Sequence, residues 1–233
     1  MKKYVLYLML SLILAGCVSS SHLGASYFTS PSRTGFILIS ELESTTNSSS
    51  GGGLGAIGAA VSASLVPERK YDEALRTLAP VLNPDERVKQ LFTDAFSSKG
   101  KNITFIDDTL NLKTAAKFKP VKKEPGKKYF KQDLRSLKDK YQIDELVLVS
   151  VKYGLYCTYS YGIETKRYGK MYIRTNVINL TDNSIMYQGA TINREQITGK
   201  WNTPPEYTLL RNGISKAIET SLSQEKAKWN YSL

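Results

Sequence analysis

The chain has 233 residues, with 32 Lys and Arg against 21 Asp and Glu, which gives a net charge of +11 with its single histidine neutral. That length suits one domain, two cysteines exclude a multi-bridge disulfide framework, and one histidine excludes a His-rich metal site. The positive excess favours anionic partners.

Lys2 and Lys3 precede an apolar block from Val5 to Leu14 that ends at Leu14-Ala15-Gly16-Cys17. A cationic start, an apolar run short of the roughly 20 residues needed to span a bilayer, and small residues before a cut make a secretory signal. The cysteine directly after Ala15-Gly16 resembles the bacterial lipobox. This resemblance implies that residues 1–16 are a removable signal peptide and that Cys17 becomes the mature amino terminus, bearing covalent diacylglycerol and an N-acyl chain; no other cofactor is expected. Acylation consumes the Cys17 thiol, so Cys157 is left as the single side-chain thiol, and a buried small hydrophobe is the expected role for it. His22, the only histidine, lies too near the anchor to serve as its base. Val18, standing where an aspartate would signal inner-membrane retention, points to an outer-membrane anchor facing the periplasm. On a cell with one membrane the same signal gives anchorage on its outer face. Removal of residues 1–16 lowers the charge to +9 on 217 residues. Outside the cytoplasm the matching anions are acidic lipid head groups or cell-wall polymer, and not nucleic acid.

Residues 17–34 are rich in serine and small polar residues and read as a lipidated flexible tether. A strand is predicted over Gly35 to Leu42, an apolar run suited to cover on both faces. A Gly-rich insert, residues 45–66, follows. In it Gly51, Gly55, Ala59 and Ala63 recur every four residues and would form one flat strip on a helix. Two readings stay open for that strip: packing on a partner chain or the membrane interface, or a flexible loop leading into a short buried helix.

Tyr71, Leu75, Leu78 and Leu82 have helical spacing, interrupted by Pro80 and Pro84. A second helix restarts with Asn83 as cap and Asp85 and Glu86 in its first turn, and buries Val88, Leu91, Phe92, Ala95 and Phe96. Asn102 to Ile106 is a short strand. The Lys-rich loop 113–128 is almost one-signed; Lys117, Lys119, Lys122, Lys123, Lys127 and Lys128 are candidates for contact with anionic lipid or polymer, and a merely solvated linker is the other reading. Phe130, Leu134, Leu137 and Tyr141 predict a helix over 129–141. Strands are then expected from Ile143 to Tyr153 and on through a tyrosine-rich stretch to Tyr161, from Lys170 to Leu180 and from Ser184 to Arg194, with turns at 162–169 and 181–183. Tyr153, Tyr156, Tyr159, Tyr161, Tyr168 and Tyr172 form either a binding face or ordinary strand positions. A closing helix from about Pro205 carries Leu210, Ile214, Ala217, Ile218 and Leu222 on one face.

The expected fold class is therefore α+β: a single domain over 35–228, with a mixed, mostly antiparallel sheet and flanking helices. The segments GFILISELES, DELVLVSVKYG, MYIRTNVINLTDNSIMYQGATI and RNGISKAIETSL are similar in order to the periplasmic lipoprotein family of CsgG, LpoB and the amino-terminal domain of TolB. That resemblance implies a CsgG/LpoB-like fold and a non-catalytic interaction or assembly module of the cell envelope, held to the membrane by its lipid and bound to an envelope protein. It also allows a homo-oligomer, in the alternative a subunit of an oligomeric outer-membrane secretion channel. An enzyme is not expected: metal-ligand clustering and a nucleotide loop with its lysine are both missing from the sequence, and Glu145, Glu164 and Glu195 have no spacing that recommends them for wall hydrolysis.

Overall fold

The computed structural model describes residues 23–49, 71–107, 110, 112, 114–122, 124–160 and 163–230. Cys17, His22, Gly51, Gly55, Ala59, Ala63, Lys113 and Lys123 lie outside the described residues, and so do the readings placed on them.

Alternation of apolar and polar residues builds a five-stranded mixed sheet that does not close into a barrel. Its strands are β1 (Thr34–Ser49), β2 (Ile103–Phe105), β3 (Glu145–Ser160), β4 (Ile163–Asn179) and β5 (Ile185–Gln196), in the order β2-β1-β3-β4-β5. β1 runs parallel to β2 and β3, whereas β3–β4 and β4–β5 are antiparallel. The expected α+β class and mixed sheet hold: two strand pairings are parallel and two antiparallel, and the antiparallel ones join more of the residues.

One sheet face is covered by α1 (Ala25–Thr29), α2 (Asp72–Leu82), α3 (Asp85–Ser97) and α5 (Thr208–Asn230). Val147, Val149, Val151, Tyr153, Leu155, Cys157 and Tyr159 point into this layer from alternate positions of β3. The five residues expected on the closing helix are all buried there, and each large aliphatic side chain among them contributes about 1.5–3 kcal/mol. α5 approaches β4 closely because Gly169 has no side chain: a Cβ there would lie 2.3 Å from the Gly213 carbonyl oxygen. Among the described residues the opposite face is covered at one end only, by α4 (Ser136–Tyr141) and the segment before it, over Ile37, Leu146, Leu148, Ile178 and Leu180.

Several expectations need correction. The tether ends early: Leu23, Tyr27 and Phe28 are buried in the main core, where Tyr27 and Phe28 meet Phe96 edge-on. The first strand extends seven residues past Leu42, because positions 43–49 continue the parallel register with β3. The start assigned to the Gly-rich insert thus belongs to the sheet. Pro80 does not break α2; it sits in the last turn, so only the bond to the Arg76 carbonyl is forfeited. The helix over 129–141 shrinks to Ser136–Tyr141. Tyr129 instead bridges Ser184, while the Asn183 side chain donates to the carbonyls of Phe130 and Gln132 and accepts from the Leu134 N–H. The turn expected at 162–169 is strand from Ile163 onward.

Candidate functional site

Beyond the end covered by α4, no element among the described residues covers the second sheet face, and the strand register places its side chains in rows of four. Ile39, Ser150, Arg174 and Ala190 make the first row. Glu41, Lys152, Tyr172 and Ile192 make the second, and Glu43, Gly154, Lys170 and Arg194 the third. Thr45, Tyr156, Tyr168 and Gln196 complete the face. It is a surface of aromatic rings and guanidinium groups, of the kind enriched where proteins bind one another.

Stacking orders these side chains before any partner arrives. The rings of Tyr156 and Tyr168 lie 6.0 Å apart, and the Arg194 guanidinium sits 4.1 Å above Tyr156. Arg174 lies 5.7 Å from the Tyr172 ring centre. Ile192, across from Tyr172, is 55% exposed. A cation held over an aromatic face gains about 0.5–1 kcal/mol at such exposed positions, and the rotamer freedom lost on binding is correspondingly smaller.

In the middle of the face, Glu43 accepts from Lys170 at 2.7 Å and from Lys152 at 2.9 Å. Burial acts to raise the Glu43 carboxyl pKa, but the two lysines outweigh it and hold it below the ordinary glutamate value.

Where the open rows meet the segment preceding α4, a 620 Å³ groove is lined by Lys128, Lys131, Arg174, Asn176, Gln188 and Ser150 among others, none of them acidic. Lys128 is thus the candidate lysine that faces the open sheet. Lys117, Lys119 and Lys122 are exposed on the loop, with Lys117 bridged to Gln132. Lys127 contacts Asp182 at 2.8 Å and Glu124 at 3.2 Å, contacts that raise its own pKa. The loop is therefore fastened to the β4–β5 turn, and its lysines do not act as one cluster.

The tyrosines split. Tyr153 and Tyr159 are buried under the helices, and Tyr156, Tyr168 and Tyr172 reach the open face; Tyr161 lies outside the described residues. Arg174, Arg194, Lys152, Lys170 and Glu43 were not singled out as site residues by sequence reasoning. Their signal was nevertheless present, since Lys170, Tyr172 and Arg174 occupy alternate positions of one strand.

The potential nucleophile Cys157 is fully buried on the helix side. Beside it, Arg167 lies 5.5 Å from the Tyr71 ring centre and 5.4 Å from that of Trp201, and it bonds Glu164 at 2.5 Å. This cluster closes the far end of the core. No group of three His, Cys, Asp or Glu side chains among the described residues is arranged to hold a metal ion.

No family model matches the chain, and no curated protein matches it. Among solved structures, it is similar to a neuraminyllactose-binding hemagglutinin homolog from Helicobacter pylori, at 8% identity and a TM-score of 0.36, over 85% of this chain and 86% of that one. It is also similar to a hypothetical protein from Chlamydia trachomatis, at 9% identity and a TM-score of 0.32, over 86% of this chain and 98% of the other.

Proposed function

We propose that this protein is an outer-membrane lipoprotein facing the periplasm, anchored by acyl chains on Cys17, and that it works as a non-catalytic binding module of the cell envelope. The observation that carries this reading is the open half of the sheet: Tyr156, Tyr168, Tyr172, Arg174 and Arg194 form a pre-ordered aromatic and cationic surface, while Cys157 lies buried on the other side. Rigid aromatic anchors and guanidinium groups supply binding energy at low entropic cost. The partner this surface fits is an envelope protein presenting carboxylates around an apolar centre that can cover Ile192.

Two measurements test the reading. Mass analysis of the protein extracted from membranes should find Cys17 as an acylated amino terminus, and Cys17→Ala should abolish acylation. A photo-reactive residue at position 172 or 192 should crosslink to a discrete envelope protein, whereas the same residue at position 219, on α5, should not. Crosslinking with equal yield from both sides of the domain would defeat the assignment of the face.

A further inference from the structure

The burial of Leu23, Tyr27 and Phe28 shortens the reach of any anchor at Cys17. Five residues lie between Cys17 and Leu23, and the six residue steps from one to the other span at most about 20 Å when fully extended. The central strands are much longer: β1 has 16 residues, roughly 50 Å at strand spacing. A lipid on Cys17 therefore holds one end of the sheet near the bilayer.

That end can be identified. The Lys101 ammonium reaches the Tyr27 carbonyl of α1 at 3.0 Å and pairs with Glu145, the first residue of β3, at 2.9 Å. Arg33, just before β1, donates its N–H to Asp144 at 3.1 Å, and the Leu180 N–H bonds the Asp144 carbonyl at 3.0 Å. Leu180 opens the β4–β5 turn, where Asp182 holds Lys127 and where the Ile185 N–H bonds the Lys128 carbonyl at 2.8 Å. α1 and the lysine-rich loop thus meet the sheet at the same end, on opposite faces.

At the outer part of this loop stands Val121, 107% exposed, between Lys119-Pro120 and Lys122. Lys119 and Lys122 are both exposed. The nearby carboxylate of Glu124 is engaged by Lys127 at 3.2 Å. An apolar side chain projecting between ammonium groups suits the boundary between head groups and acyl chains, where the valine is dehydrated and the lysines meet lipid phosphates.

We propose that the loop around Val121 docks on an anionic lipid surface, with Lys119 and Lys122 against phosphate head groups, and so fixes the domain with its open sheet rows directed away from the bilayer. The orientation rests on the proposed acylation of Cys17; the lipid contact itself does not.

The test uses the mature chain, residues 17–233, produced without the signal segment and with Cys17→Ser, so that neither an acyl chain nor the apolar block Val5 to Leu14 contributes. It is sedimented with vesicles of phosphatidylcholine alone, and with vesicles containing one-third phosphatidylglycerol. Binding is expected to the anionic vesicles only, and to fall as salt is raised. Each lysine near such a surface is worth about five-fold in affinity, so Lys119→Gln with Lys122→Gln should weaken binding about 25-fold. Lys226→Gln, on the exposed side of α5, should leave it unchanged. Val121→Trp should bind more tightly and shift its fluorescence to the blue on anionic vesicles alone. Equal binding to both vesicle types, no loss in the loop double variant, or binding to isolated cell wall and not to anionic vesicles would each overturn the proposal. An unacylated Cys17 in the membrane-extracted protein would refute the anchor and the orientation, and leave the lipid contact standing.

Discussion

Lys170 reaches Glu43 across the intervening strand by passing over Gly154. The three residues share one row of the sheet, and the two charged groups meet at 2.7 Å across a middle position that carries no side chain. Gly154 has φ +131°, and a Cβ there would lie 2.3 Å from the Glu43 carbonyl oxygen. Gly154→Ala should therefore cost on the order of 3 kcal/mol, through backbone strain and the displaced strand. Gly100→Ala is the control: its φ is +80°, but nothing lies within 4 Å of the added carbon, and the cost should be about 1 kcal/mol. Urea unfolding of the two variants measures the difference, and equal losses would remove the steric argument.

The same row predicts a pH dependence. Burial acts to raise the Glu43 carboxyl pKa, but Lys170 and Lys152 depress it overall. A carboxyl with a lower pKa in the folded than in the unfolded state adds stability that is present above its unfolded value, near 4.5, and lost as pH falls through the depressed one. Stability of the native chain should thus drop below about pH 4.5 more steeply than that of Glu43→Gln. Denaturant midpoints taken from pH 6 downward decide this, and parallel curves would mean that the ion pair is no stronger folded than unfolded.

α1 gives a sharper contrast between sequence and structure. Tyr27 and Phe28 stand among serine, threonine and proline in a helix of five residues, too short for any apolar period, and their value lies in Phe96, almost seventy residues away. Phe28→Ala should destabilise the domain by about 3–5 kcal/mol, where a residue in a true tether would change nothing. Thermal unfolding settles the matter. By contrast, β3, β4 and α5 were legible because their patterns are long and regular: a 16-residue strand alternates faces many times, and a helix stripe repeats through five apolar residues. The uncovered sheet face was only half legible. Alternation separates Lys170, Tyr172 and Arg174 from Met171 and Ile173, but which of the two faces the helices leave uncovered is set by packing between distant segments.

Asn183 explains the other main discrepancy. Phe130, Leu134 and Leu137 have helical spacing, yet the Asn183 side chain, buried and at φ +64°, takes up backbone groups of Phe130, Gln132 and Leu134 that a helix would use internally. Asn183→Ala leaves these groups unpaired and should cost about 2–3 kcal/mol. Amide exchange should rise at Leu134 and around Lys128, and remain slow in the centre of β3. Uniform acceleration across the sheet would instead mark Asn183 as part of the global core.

Glu225 is the buried carboxylate that most resembles a catalytic group, and its surroundings argue for a structural role. It is 1% exposed on α5 and accepts from Thr191 at 2.5 Å, Thr175 at 3.3 Å and the Trp229 indole at 3.1 Å, with Lys228 at 3.7 Å. These contacts pin the last turns of α5 to β4 and β5 on the side away from the open rows. Glu225→Ala should cost about 3–5 kcal/mol, because the remaining donors stay buried without their acceptor. Glu225→Gln, which keeps one acceptor oxygen, should cost less and should alter the fluorescence of Trp229. Partner crosslinking from position 172 should survive Glu225→Gln at temperatures where that variant is folded. Loss of crosslinking in a folded Glu225→Gln protein would place this carboxylate within the functional surface.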